Sequence, residues 1–206
     1  MNYGQVKNQV LKLLDQYSVA GNEVEPSYNN QQDYLNRIPG LVNDAVMEIA
    51  TTVRKIPTVM GLCELPYEDL GEAYRYQLPR DFYQLISGGV VKTRGGTVLH
   101  TNLYQTQGRS FLIVPKAEAG DCSIEYYRYP MLLADRPKDT DELDNAPETH
   151  FAVPYYAAAF LASRDDPYLC ALLNNKYDDK LAAMGAGLNA EVSQVSDVYG
   201  FGGVTG

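Results

Sequence analysis

The 206-residue sequence predicts an α+β fold: a helical bundle built from N- and C-terminal helices, with a small antiparallel β module inserted into it. Three observations carry that reading. Apolar residues recur at helical spacing through residues 1–57, and they do so again through residues 131–188. Between them, residues 58–130 break into short runs punctuated by Gly, Pro and Asn. The remaining residues, 189–206, are a glycine-rich tail that joins neither part.

The first helix is read from Val6, Val10, Leu13, Leu14 and Tyr17, which share one helical face. Gly21, Asn22 and the Glu25-Pro26-Ser27 stretch end it. A second helix follows, with Tyr34, Leu35, Ile38, Leu41, Val42, Ala45, Val46 and Ile49 in its broad apolar stripe. Pro39 inside that stripe removes a backbone donor and crowds the carbonyl of Leu35, which predicts a kink or a restart. Lys55, Ile56 and Pro57 close the helical part.

The middle of the chain reads as strands. Tyr74, Tyr76 and Leu78 alternate with Arg75 and Gln77, while Val90-Val91, Val98-Leu99, residues 111–114 and residues 124–129 supply further short runs. Gly88-Gly89 and Gly95-Gly96 read as turns between them, because no Lys-Ser/Thr ending or strand-to-helix spacing follows that would make either a phosphate loop. Such strands form a small antiparallel sheet or sandwich.

Residues 133–148 are polar and acidic and read as an exposed loop leading into a helix, capped by Asp144 or Asn145 with Pro147 in its first turn. On that helix Phe151, Tyr155, Ala158, Ala159 and Ala162 form one broad side. Asp166 and Pro167 start the next, whose apolar face is Leu169, Leu172, Leu173, Tyr177, Leu181 and Met184. The short turn between the two predicts an antiparallel pair.

Composition narrows the function classes. The chain is 45% hydrophobic and 21% charged, and its apolar runs fall short of the roughly 20 residues that span a bilayer. No signal-peptide pattern opens it, so synthesis in the cytosol is expected. A net charge of -9 argues against wrapping a nucleic-acid backbone, which requires clustered Lys and Arg. Cys63, Cys122 and Cys170 are odd in number and widely separated, and read as buried thiols without a disulfide or zinc site.

No catalytic, cofactor-binding or metal-binding residues emerge. The carboxylates of residues 135–148 are a run of like charges that favours solvent, and the calcium-loop pattern fails for want of its central Gly and closing carboxylate. His100 and His150 are the only histidines, and neither has the context of an activated base.

The outlier is tyrosine, with 17 Tyr against 5 Phe and no Trp. A Tyr ring buries apolar area while its hydroxyl finds a polar partner, so clusters such as Tyr126, Tyr127 and Tyr129 are either partner contacts or half-buried strand positions. The tail around Tyr199, Phe201 and Val204 is either an unstructured tag or a segment that orders on a partner, with those side chains as anchors.

The order of these parts, a helix spanning residues 33–50, a β-rich middle ending in YYRYP, the acidic loop at 142–147 and the aromatic helix pair of 151–181, resembles the head-to-tail connector (adaptor) proteins of tailed bacteriophages and prophages. The β module departs from the smallest, all-helical adaptors and looks more like those with an inserted sheet. The resemblance implies a structural virion protein without turnover or cofactor. It implies a subunit of a ring, typically dodecameric, that binds beneath the portal protein and extends the DNA channel to the next tail or neck component. DNA would pass without sequence-specific binding, and the protein, made in the host cytoplasm, would reside in the virion neck. It also favours docking of the C-terminal tail on the portal. The alternatives are another neck, tail-completion or decoration protein, or a small-molecule enzyme with its pocket in the Tyr-rich module. The missing nucleophile, metal and phosphate signatures stand against the enzyme.

Overall fold

The computed structural model describes residues 1–14, 29–94, 97–119 and 122–192, with backbone alone at 29–31, 87, 93–94, 97–98 and 185–192. The chain divides into two compact units, Met1–Ile49 with Leu132–Gly206, and Ala50–Met131.

The first unit is helical. Helix α1 (Tyr3–Leu13) opens on a reciprocal cap: the Asn2 side chain accepts from the Gln5 amide, and the Gln5 side chain accepts from the Asn2 amide. Two further N-terminal amides, of Tyr3 and Gly4, donate to the carbonyls of Asp141 and Asp139 at 2.7 and 3.0 Å. The acidic loop is thus stitched to α1 by its backbone rather than lying free as the sequence suggests. Gly4 makes this possible, since a Cβ there would sit 2.8 Å from that of Asp139. Helix α2 (Asn29–Thr52) runs through Pro39 without a restart and buries Ile38, Val42, Ala45, Val46 and Ile49, one face of the 3.6-residue period.

The expected cap at residues 144–147 corrects to a 3-10 turn, Pro147–Thr149, in which the Asn145 amide donates to the Thr149 hydroxyl at 2.7 Å. Helix α3 (Val153–Ala162) begins only beyond it. Ala157, Ala158, Ala159 and Ala162 are buried and allow the close packing of α3 on α1 and α4. Helix α4 (Pro167–Val192) starts where Asp166 accepts from the Leu169 amide at 2.9 Å. Leu173 and Tyr177 face inward, but Leu172 and Phe151, both expected on apolar faces, are exposed.

The second unit overturns the expected fold class of a helical bundle with a small β module. Its described residues form eight strands in two four-stranded antiparallel sheets: β1 (Ile56–Gly61), β2 (Tyr67–Asp69), β3 (Ala73–Gln77), β4 (Phe82–Arg94), β5 (Thr97–His100), β6 (Gln105–Gln107), β7 (Phe111–Pro115) and β8 (Cys122–Arg128). One sheet has the order β1-β8-β4-β5, the other β2-β3-β7-β6. Tyr76, Leu112 and Val114 from the second meet Val90, Ile124 and Tyr126 from the first in one core. This is a β unit with its own interior.

The discrepancy has identifiable causes. Ile56 and Pro57 looked like a helix terminus, yet they open β1, an edge strand, where proline costs no ladder bond on its solvent side. Strands β2 and β6 are three residues long and exposed throughout, so they lack alternation. Gly88-Gly89, expected as a turn, instead forms an irregularity within β4, where the register against β8 shifts between Leu85 and Val90. Gly88 has φ +72°, and a Cβ on Gly89 would lie 2.5 Å from the carbonyl oxygens of Ile86 and Glu125. Gly95-Gly96 lies outside the described residues. Of the three cysteines, all free, Cys122 alone is buried, which corrects the expectation for Cys63 and Cys170.

Candidate partner-binding surface

Strand β8 divides the tyrosine trio by its own pleat. Alternate residues face opposite sides, so Cys122, Ile124 and Tyr126 point into the core while Ser123, Glu125 and Tyr127 do not. Tyr126 is 0% exposed, stacked on Phe82 with ring centroids 5.6 Å apart, and its hydroxyl reaches Asp81 at 3.4 Å. Burial, reinforced by the Asp81 charge, pushes its phenol pKa up. A ring with no exposed surface offers a partner nothing, so Tyr126 serves as the pin that holds β8 in place.

Tyr127 and Tyr129 belong to a platform of rings and cations on the same unit. The Lys55 ammonium sits over two rings, 5.1 Å from the centroid of Tyr127 and 5.7 Å from that of Tyr83. Tyr83 and Tyr129 are 5.1 Å apart. The Arg109 guanidinium covers Tyr83 at 5.8 Å and donates to the Tyr129 hydroxyl at 2.8 Å. Each cation is attracted by the negative face of a ring, and the ring is held in orientation in return. Lys55 also donates to Gln84 at 2.9 Å. Sequence reading found two of the five members. Lys55, Tyr83 and Arg109 lie on β1, β4 and β7 flanks remote in the chain, and only strand order brings them together.

A second aromatic group lies on the other sheet, where Tyr67 meets Tyr74 edge-on at 5.1 Å and Lys116 covers Tyr74 at 5.1 Å. Lys116 also pairs with Asp69, whose carboxyl is held below its ordinary range by that bond and by the Gly71 amide.

In the helical unit Leu132 and Phe151 are exposed, and so are three apolar side chains flanking the turn between α3 and α4. Tyr168 is 82% exposed, Leu172 stands one turn further along the same face, and Phe160 lies at the end of α3. Asp165 and Asp166 are beside them, Asp165 accepting from the Tyr34 hydroxyl at 3.1 Å. Further along α4 the buried Tyr177 contacts Tyr156 and donates to Glu48 at 3.2 Å; burial, then the Glu48 charge, raises its phenol pKa steeply.

Tyr199, Phe201 and Val204 lie outside the described residues. Among the described residues no three His, Cys, Asp or Glu side chains gather to hold a metal ion, and no helix is long and apolar enough to cross a membrane.

No curated protein matches the chain. The sequence model of the SU10 adaptor protein family matches residues 1–200, nearly the whole length. The chain therefore belongs to the SU10 adaptor protein family, a family of phage head-to-tail adaptors, and its role is structural.

Proposed function

We propose that this adaptor is a ring-forming subunit of the virion neck, typically in a dodecamer, that binds beneath the portal protein and extends the DNA channel to the next tail component. The observation that carries the reading is the family match over residues 1–200. The net charge of -9 supports it: an acidic protein repels DNA phosphate, so a strand slides past without adhering. The same charge makes free copies repel one another, so the free protein is a monomer or a weak oligomer and a stable ring forms only on the portal. The C-terminal tail, with Tyr199, Phe201 and Val204 as anchors, docks on the portal, and Tyr127 and Tyr129 contribute to a partner surface.

Single-particle reconstruction of the neck from purified particles tests this. A ring of this chain between portal and tail is the expected result, and its absence from the neck overturns the reading. A chain ended after Asp197 should fold with unchanged melting temperature but enter particles poorly; normal incorporation would remove the tail from the interface.

A further inference from the structure

Charge is distributed unevenly along this chain. Residues 50–131 hold nine Lys and Arg against eight Asp and Glu, whereas the rest of the chain holds eight against eighteen. The whole acidic excess therefore resides with the helical unit, and the sheet unit is close to neutral. On the sheet unit, Lys55 and Arg109 are gathered on the rings of Tyr83, Tyr127 and Tyr129. The α3–α4 corner of the helical unit carries exposed Phe160 on α3, exposed Tyr168 and Leu172 on α4 and, in the turn between them, the carboxylates of Asp165 and Asp166 beside a single cation, Arg164.

We propose that the Lys55–Arg109 platform of one copy docks the α3–α4 corner of a second copy. The inference deepens the adaptor reading and rests on it for the repeated copies. The two surfaces are complementary in charge and in apolar character: the two platform cations face a turn in which Asp165 and Asp166 outnumber Arg164, and the rings face an exposed tyrosine and leucine. A nucleic acid is the poorer occupant, because a phosphate-binding face requires a surplus of cations that residues 50–131 lack. Platform and corner are different surfaces, so the contact is heterologous, each copy using one surface toward each neighbour. Such contacts propagate and close into a ring when the rotation per copy divides a full turn.

Site-specific photocrosslinking in the full chain tests this. Tyr127→p-benzoylphenylalanine, irradiated in concentrated mixtures of heavy-isotope-labelled and unlabelled protein, should yield mixed-label products that map to residues 160–172 of the other copy. Lys55→Glu with Arg109→Glu should reduce that product roughly tenfold or more, the scale of a lost interfacial charge pair. Mixing this variant with an Asp165→Lys chain should restore it. Tyr168→Asp provides the same test from the other side should the platform variant fail to fold. Products confined to one copy, products mapping elsewhere, crosslinks to added DNA, or no product would each overturn the proposal. A neck lacking this chain alongside mixed-label products at 160–172 would overturn the adaptor reading while leaving the contact intact.

Discussion

The helical and sheet units of this chain close their interiors by different means. The sheet unit fills its core with large side chains from two facing sheets, Tyr76, Phe82 and Tyr126 among them, and keeps its cations on the rings at its surface. The helical unit packs small alanines of α3 against its neighbours and ties its irregular acidic loop down through backbone amides at the start of α1. The sheet unit draws its volume from a few rings, whereas the helical unit combines aliphatic stripes such as Ile38, Val42 and Ile49 with the close approach its alanines allow and with caps. The difference predicts unequal responses to substitutions of the same kind.

The largest effect should come from Tyr126→Ala. It removes a fully buried ring from the joint of two sheets, and a cavity of that size costs about 3–5 kcal/mol. Leu173→Ala in the helical unit should cost about 2–5 kcal/mol, less than Tyr126→Ala because the buried side chain removed is smaller. Denaturant titration gives the totals, and hydrogen exchange shows where protection is lost. If Leu173→Ala proved the costlier of the two, the contrast between a ring-filled and an alanine-packed interior would be wrong.

Next is Gly89→Ala. The added methyl would meet two backbone carbonyls at 2.5 Å, and backbone cannot swing aside as a side chain can. Overpacking of this kind costs about 1–3 kcal/mol. A neutral result would show that the β4 irregularity adapts and is not fixed by glycine.

This glycine pair also shows how much of the structure was legible. The helices were readable because their faces repeat: Val6 and Val10, Ile38, Val42, Ala45 and Ile49, and Leu173 with Tyr177 sit where period alone puts them. Short strands carry few repeats, so β2, β6 and β1 left little pattern to read. Gly88-Gly89 reads as a turn because a glycine's use of positive φ is visible in sequence but its place in a ladder is not. At the candidate surface, Tyr127 and Tyr129 stood out by composition. Lys55 and Arg109 did not, since a cation over a ring is a tertiary fact with no local signal.

Asp166→Ala should have a smaller effect, about 1 kcal/mol, because one exposed cap bond to the Leu169 amide is lost and water can replace it. Thermal melts of this variant and of Asp166→Asn sharpen the comparison. Asparagine should recover most of the loss if capping is the cause, whereas equal losses would point to charge at the acidic corner.

The smallest effect concerns His150, buried in the helical unit between two backbone groups. Its Nδ1 accepts from the Met1 nitrogen, and its Nε2–H donates to the Asn145 carbonyl at 3.0 Å. Burial first, then the positive Met1 amine, lowers its pKa from the ordinary 6.5. Above pH 6.5 the ring is neutral in both folded and unfolded chains and contributes no slope. As pH falls below 6.5 the unfolded chain takes up a proton that the folded chain refuses, so stability declines until the folded pKa is passed. Melting temperature should therefore fall between pH 7.5 and 5.5. His150→Gln, which keeps a donor toward Asn145, should flatten that slope even if it lowers the melting temperature at pH 7.5. A slope that survived His150→Gln would assign the pH dependence to other groups.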